Sequence, residues 1–194
     1  MTVSFRGLRF EVFPGVYEPA EDSFMLAEFS KDIIGDSLDV GTGCGIQAIV
    51  AKKARVVGVD SNEVAVENAE HNARMNGSNA MFVGSDLFES VDGKFDCIVF
   101  NPPYLPTSPN EVVEGSEDVA WNGGKDGREV IDRFLDGFAD HLKEDGRLLM
   151  LCSSLSERGE SKRTVERLGF RWNELTREHV GMFEELFVVE MRRA

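Results

Sequence analysis

The chain has 194 residues, of which 35 are acidic and 21 are basic, and its formal net charge is −14 at pH 7. This length suits one domain spanning 1–194, and because no apolar run is long enough to span a membrane, we expect a cytoplasmic protein. The negative charge disfavours duplex DNA or bare RNA as the substrate, because it repels phosphate backbones. The cysteines lie far apart in apolar segments, which predicts reduced core thiols and no metal site: Cys44, Cys97 and Cys152.

The N-terminal stretch alternates loosely from Val3 to Val12, which predicts a small strand or hairpin. Beyond it, Glu21 and Asp22 precede an apolar pattern with helical spacing. Acidic side chains at the start of a helix are stabilised by its macrodipole, and this alone explains both of them. Ser23 fits two interpretations equally well, an ordinary first-turn residue or a hydroxyl that faces a ligand.

A predicted strand, a glycine turn and a predicted helix follow at 37–50. The spacing G-x-G-x-G begins at Gly41 and Gly43 and lets the backbone approach a nucleotide-like ligand closely. It differs from the G-x-G-x-x-G of dinucleotide-binding folds. Asp39 would repel a pyrophosphate, but it can bind the ammonium group of an amino acid. The combination indicates S-adenosylmethionine rather than NAD.

The next two predicted strands both end in an acidic residue. Asp60 follows the glycine turn by about twenty residues, where a carboxylate can accept hydrogen bonds from two ribose hydroxyls. The same residue is also explained as an acid before a helix, which Ser61 is expected to cap. Asp86 can accept a hydrogen bond from an adenine amino group, with Leu87 and Phe88 beside the ring.

The fourth predicted strand, at 95–100, leads into the tetrapeptide Asn101-Pro102-Pro103-Tyr104. The two prolines direct the chain rigidly out of the sheet and leave the Asn101 carboxamide at the strand end, where ligands bind in open α/β sheets. The Asn101 side-chain oxygen and the Pro102 carbonyl can accept both N–H bonds of a planar nitrogen and free its lone pair for attack. The Tyr104 ring can pack on the flat face of that group. A plain turn is the alternative.

The C-terminal half alternates between predicted helices and strands after a long loop at 105–125. The length of this loop suggests a lid or substrate groove, in which Trp121 forms either a substrate wall or a packing anchor. An amphipathic helix is predicted at 130–142. The remaining predictions are a strand at 148–152, a helix at 156–168 and a pair of antiparallel strands at 170–180 and 186–191.

These motifs together resemble the class I S-adenosylmethionine-dependent methyltransferases that modify planar nitrogens. The segments 17–23 (YEPAEDS) and 120–130 (AWNGGKDGREV) narrow the resemblance to the HemK-like branch of archaea and eukaryotes. That branch methylates the side-chain nitrogen of the glutamine in the Gly-Gly-Gln loop of class 1 peptide-chain release factors. The resemblance implies an α/β fold with a Rossmann-like sheet of seven strands, mostly parallel with one antiparallel strand, and helices on both faces.

The resemblance also assigns roles to residues whose positions match the motifs. The tetrapeptide at 101–104 becomes the catalytic clamp for the substrate amide. Where the family commonly has glutamate, this chain has the shorter Asp39. The implied cofactor-binding positions are Ser23, Asp39, Gly41, Gly43, Asp60, Asp86, Leu87 and Asn101.

Members of this branch need a small zinc-binding activator subunit, which adds its strands to one edge of the methyltransferase sheet. The resemblance therefore implies a heterodimer, and it places the edge strand at Ala80–Val83. An unpaired apolar edge strand is an open site for strand addition. Met81 and Phe82 are the apolar side chains that we expect such a partner to cover.

The sequence leaves three alternative functions open. An N6-adenine or other exocyclic amino methyltransferase acting on DNA or RNA can use the same clamp on an unstacked base. A protein lysine methyltransferase is the second alternative. A cofactor-binding subunit that serves only in assembly is the third. The glycine spacing argues against an NAD-dependent oxidoreductase.

Overall fold

A computed structural model describes residues 1–105, 127–156, 158–181 and 184–194. The loop predicted at 105–125 therefore lies outside the described residues except for its first residue. Trp121, predicted as a substrate wall or a packing anchor, lies outside them too. The chain is described again from Gly127, two residues before a helix.

The described strands form two sheets. A hairpin pairs β1 (Thr2–Phe5) with β2 (Leu8–Glu11), which confirms the alternation at 3–12. The larger sheet has seven strands: β3 (Ile34–Val40), β4 (Lys53–Asp60), β5 (Met81–Gly84), β6 (Phe95–Phe100), β7 (Leu142–Ser153), β8 (Phe170–Val180) and β9 (Glu184–Arg193). Their order is β5-β4-β3-β6-β7-β9-β8. Of the strands described in it, β9 is the one that runs opposite to all the others, so the predicted fold class is confirmed.

Five α-helices cover the two faces of this sheet in the described part of the chain. They are α1 (Glu21–Ser30), α2 (Ile46–Val50), α3 (Glu63–Asn76), α4 (Glu129–Gly137) and α5 (Arg158–Arg167). One apolar core forms between the sheet and α1 to α3, and a second core contains side chains of α4 and α5. Because both faces are covered, the buried parts of the central strands are mostly apolar. None of the helices within the described ranges is long and apolar enough to cross a membrane.

The helix predicted at 130–142 is shorter than its apolar pattern suggests. Helix α4 ends at Gly137, a 3-10 turn follows at 138–140, and Leu142 already begins β7. Phe138 and Leu142 are fully buried, so they continue the apolar pattern without continuing the helix. The ring of Phe88 lies where a side chain at position 137 would stand, 3.0 Å from the place of its Cβ, which explains why this position is glycine.

Two further local predictions need correction. Asn62, not Ser61, caps α3, because its side-chain oxygen accepts a hydrogen bond from the backbone N–H of Val64. Helix α5 begins at Arg158, two residues later than predicted, because a 3-10 turn occupies 154–156. Gly77 and Gly169 have positive φ angles and follow the ends of α3 and α5.

Strand β5 lies at one edge of the sheet, where the sequence places it. Its side chains alternate between the two faces, so Met81 and Val83 are 56% and 41% exposed while Phe82 is only 9% exposed. The expectation that Phe82 is available to a partner is therefore wrong. Its ring packs over Gly58, where an added Cβ would come within 2.6 Å of it.

Candidate active site

A cavity of about 410 Å³ opens beyond the carboxyl ends of β3 to β6. These ends meet there because the four strands are parallel neighbours in the sheet. Eight of the residues predicted from the sequence line the cavity: Ser23, Gly41, Gly43, Asp60, Asp86, Leu87, Asn101 and Pro103. Four others do not: Asp39, Phe88, Pro102 and Tyr104. Apolar atoms form the larger part of the lining, and carboxylate, amide and backbone groups lie between them, as expected for a small-molecule site.

The glycine turn after β3 is held from behind by Asp39. The Asp39 Oδ2 atom accepts hydrogen bonds from Thr42 Oγ1 at 2.6 Å and from the backbone N–H of Ala48 at 3.2 Å. Burial raises the pKa of the Asp39 carboxyl to about 7. The structure thus gives this residue a role in shaping the turn, in place of a direct position on the cavity wall. Gly41 and Gly43 have φ angles of 63° and 55°, which side chains rarely allow.

Asp60 joins the glycine turn to α3. Its Oδ2 atom accepts from the Gly43 N–H at 2.9 Å, and its Oδ1 atom accepts from the Asn62 N–H at 2.9 Å. A carboxylate oxygen has more than one acceptor site, so each still has capacity toward the cavity. Burial raises the pKa of Asp60, while the backbone hydrogen bonds oppose the shift. The two backbone bonds therefore fix the carboxylate at the cavity wall with acceptor capacity left on both oxygens.

Asp86, which follows β5, is bonded to a residue that the sequence analysis did not place at the site. The Arg133 Nη2 atom of α4 donates to Asp86 Oδ2 at 2.7 Å, and Arg133 itself lines the cavity. Leu87 has a φ angle of 49°, rare for a residue other than glycine. This conformation occurs at the cavity wall. The helical pattern predicts α4 but gives no sign that Arg133 reaches Asp86.

The Asn101 carboxamide is oriented by Asp22, whose side chain is almost completely buried. Asn101 Nδ2 donates to Asp22 Oδ2 at 2.9 Å and is 3.5 Å from the Ser23 hydroxyl oxygen. The other oxygen, Asp22 Oδ1, accepts from the Tyr17 hydroxyl at 2.9 Å and from the Ser23 N–H at 2.6 Å. The macrodipole explanation is therefore insufficient for Asp22. The sequence analysis missed this contact because the two residues are 79 positions apart.

The Asn101 Oδ1 atom is buried and has no hydrogen-bond partner among the described residues. A buried polar atom without a partner is costly, so its persistence points to a ligand that supplies a donor. Since the carboxylate of Asp22 can only accept, it selects the orientation in which the Asn101 oxygen faces away from it. The site therefore presents a fixed hydrogen-bond acceptor. An amide or amino N–H is the complementary group.

Among the described residues at and near the site, none is a strong nucleophile. Burial raises the pKa of the Cys44 thiol to about 12 and that of Cys97 to about 11, so neither is a thiolate at neutral pH. Burial and the nearby Asp22 carboxylate also raise the pKa values of Tyr17 and Tyr104, which keep their protons. No group of three or more metal-binding side chains occurs in the described ranges.

Comparisons with known proteins agree with this geometry. The family model described as the methyltransferase small domain matches residues 15–114. A provisionally named protein N5-glutamine methyltransferase of Methanocaldococcus jannaschii is 44% identical over the full length of both chains. The methyltransferase HEMK2 of Mus musculus is 31% identical over 82% of this chain and 81% of its own.

A solved structure supports the same relationship. The complex of Mtq2 and Trm112 from E. cuniculi, described as responsible for methylation of the eRF1 translation termination factor, contains a chain with a TM-score of 0.73 and 28% identity. The match covers 93% of this chain and 99% of that chain. The resemblance drawn from the motifs is thereby confirmed: this chain belongs to the methyltransferase small domain family, among its HemK-like members.

Proposed function

We propose that this protein transfers a methyl group from S-adenosylmethionine to the side-chain amide nitrogen of the glutamine in the Gly-Gly-Gln loop of a class 1 release factor. Similar proteins are named for glutamine or release-factor methylation. The Asn101 Oδ1 atom, for which no described residue is a partner, carries the proposal, because a primary amide provides the donor that it needs. We further propose that 1–194 acts as one domain in the cytoplasm.

The residues around the cavity fit the proposed cofactor. The glycine turn leaves room for close approach, since a Cβ at Gly43 would meet no atom within 4 Å. Asp60 would hold the ribose hydroxyls, and Asp86 the adenine amino group through the acceptor capacity that Arg133 leaves. Ser23 would face the amino-acid end of the cofactor. When bound, S-adenosylmethionine supplies an electrophilic methyl group.

The protein's part in the reaction is to position the substrate nitrogen. Asn101 Oδ1 and the Pro102 carbonyl would accept its two N–H bonds, which draws the nitrogen toward a pyramidal geometry and frees its lone pair. The cofactor that Asp60 and Asp86 would hold would supply the methyl group, and the nitrogen held by Asn101 and Pro102 would release one proton to solvent after accepting it. Orientation and preorganised acceptors provide the catalysis, so a strong base is unnecessary.

Mass spectrometry of a class 1 release factor tests the proposal directly. After incubation with this protein and S-adenosylmethionine, with and without a Trm112-like subunit, we expect one added methyl group on the Gly-Gly-Gln glutamine. A release factor in which that glutamine is replaced by glutamate is the matched control and should stay unmodified. Methyl groups found instead on lysine side chains, DNA or RNA would overturn the substrate assignment and leave the cofactor assignment intact.

We also propose that the protein works as a heterodimer with a small zinc-binding subunit that pairs with β5. The connection at 85–94 is a series of turns, so none of the described helices follows β5 to cover the face of Met81 and Val83. Val57 lies next to Met81 in the register and is partly exposed on the same face. An edge strand with uncovered apolar neighbours favours strand addition together with apolar contact.

Val83→Asp is expected to abolish co-purification with the Trm112-like subunit. A carboxylate at this 41% exposed position would be desolvated by the partner, yet it costs the isolated chain little. Leu168→Asp, at a 42% exposed apolar position after α5, is the matched control and should co-purify normally. Phe82→Asp is unsuitable because it would disrupt the core. Normal co-purification of the Val83 variant would place the partner elsewhere.

A further inference from the structure

Three asparagines of α3 hold the chain segment that leads from the N-terminal hairpin to the cavity. Asn68, Asn72 and Asn76 are spaced by four residues and therefore project from the same side of the helix. We call these three residues the asparagine ladder, and we call residues 9–17 the strap. The asparagine side chains bond backbone N–H and carbonyl groups of the strap. These bonds therefore depend on the backbone conformation of the strap and not on its side chains.

The contacts are regular along the strap. The side-chain oxygens of Asn76, Asn72 and Asn68 accept from the backbone N–H groups of residues 9, 11 and 13 at 3.0, 2.9 and 3.0 Å. The side-chain nitrogens of Asn76 and Asn72 donate to the carbonyls of residues 9 and 11 at 2.7 and 2.9 Å. Asn68 also donates to the carbonyl of residue 11, at 2.7 Å.

The spacing of the asparagines along α3 matches the spacing of every second residue along the strap. Four residues of an α-helix rise about 6 Å, and two residues of a strand rise about 6.6 Å. Along one edge of β2 the backbone groups pair with β1. The ladder side chains bond the opposite edge, where a third strand would otherwise lie. Asn68 and Asn72 are fully buried, and this burial makes their hydrogen bonds specific.

The strap ends at the proposed active site. Gly15, Val16 and Tyr17 line the cavity, and Asn62 Nδ2 donates to the Gly15 carbonyl at 2.9 Å. Tyr17 then bonds Asp22, which orients Asn101. The position of the strap therefore determines one wall of the cavity and, through Asp22, the orientation of the Asn101 carboxamide.

Resting on the proposed function, we infer that the asparagine ladder is a positioning device for cofactor binding. The strap attached to α3 is the conformation that binds the cofactor, and each ladder asparagine stabilises that conformation. Linkage makes the effect reciprocal: a change that loosens the strap weakens cofactor binding, and bound cofactor holds the strap more firmly. The three ladder asparagines thus contribute to affinity without touching the cavity, since none of them lines it.

Asn68→Asp tests the inference with little change in shape. The new carboxylate keeps the acceptor for the residue 13 N–H but replaces the donor to the residue 11 carbonyl with a repelling oxygen. We expect the dissociation constant for S-adenosylhomocysteine, measured by calorimetry, to rise about tenfold. The KM for S-adenosylmethionine should rise similarly, while kcat at saturating cofactor changes less than threefold. Asn173→Asp, with the same charge change on exposed β8, should match the wild type.

Hydrogen exchange by NMR tests the same coupling in the wild-type protein. The N–H groups of Glu11 and Phe13 bond the ladder, whereas the Val12 N–H bonds Met1 within the hairpin. Bound S-adenosylhomocysteine should slow exchange at Glu11 and Phe13 by about tenfold, and by less at Val12. If Asn68→Asp does not fold, Asn76→Ala at the partly exposed end of the ladder should show a smaller rise in the dissociation constant of about threefold.

The outcomes separate this inference from the proposed function. Unchanged cofactor affinity in the ladder variants would overturn the role of the ladder, and so would equal slowing of hydrogen exchange at Val12 and Glu11. The cofactor assignment would still stand in either case if the wild-type protein binds S-adenosylhomocysteine. If the wild-type protein does not bind S-adenosylhomocysteine at all, the cofactor assignment fails and the ladder's role fails with it.

Discussion

Asn101→Ala is expected to lower the turnover number by about a hundredfold or more while the affinity for S-adenosylmethionine stays nearly unchanged. The side-chain oxygen is the preorganised acceptor that the substrate nitrogen needs, and alanine removes it without filling the space. The rest of the cofactor cavity remains, because Asp60 and the glycine turn bond each other independently of position 101. Steady-state kinetics with the release factor, together with calorimetry of cofactor binding, separates the two quantities.

Two controls make the Asn101 result interpretable. Asn173→Ala removes an exposed carboxamide on β8 and should leave the kinetics unaltered. Asn101→Asp keeps the size of the side chain but places a second carboxylate against Asp22, so we expect it to be at least as inactive as alanine. Turnover near the wild-type value in Asn101→Ala would refute the clamp and would favour a role limited to assembly.

The sheet and the location of the site were predictable from the sequence because they depend on local patterns. Apolar runs that end in Asp60, Asp86 and Asn101 identify parallel strands, and the carboxyl ends of such strands meet at one edge. The glycine turn adds the close approach of a ligand. These features do not require knowledge of distant contacts, and the structure brings all of them to one cavity.

The contacts that sequence reasoning could not predict depend on packing between distant segments. Asp39 looks like a ligand-binding acid from its place before the glycines, yet its oxygen is used by Thr42 and Ala48. The face on which Phe82 lies depends on which side of β5 carries a helix, and strand alternation alone cannot give that side. Arg133 reaches the cavity only because α4 lies against the residues after β5.

Asp22→Asn is expected to have the second large effect, because it reverses the polarity of the clamp. In the wild type, the Asp22 carboxylate accepts from Asn101 Nδ2, and Asn101 Oδ1 is left for the proposed substrate, since no described residue bonds it. An asparagine at position 22 must still accept from Tyr17 and from the Ser23 N–H, so its nitrogen turns toward Asn101. Two donors then face each other, and rotation of the Asn101 carboxamide relieves the conflict. The rotated group presents a donor where the substrate nitrogen needs an acceptor.

We therefore expect Asp22→Asn to lower turnover by about tenfold to a hundredfold, with little change in melting temperature because the two side chains have the same shape. A double-mutant cycle with Asn101→Ala identifies the cause. If Asp22 acts through Asn101, the double variant should be no slower than Asn101→Ala alone, since a carboxamide that is absent cannot be misoriented. Multiplied losses would instead mean that Asp22 contributes by a separate route, such as the placement of Tyr17 and Ser23.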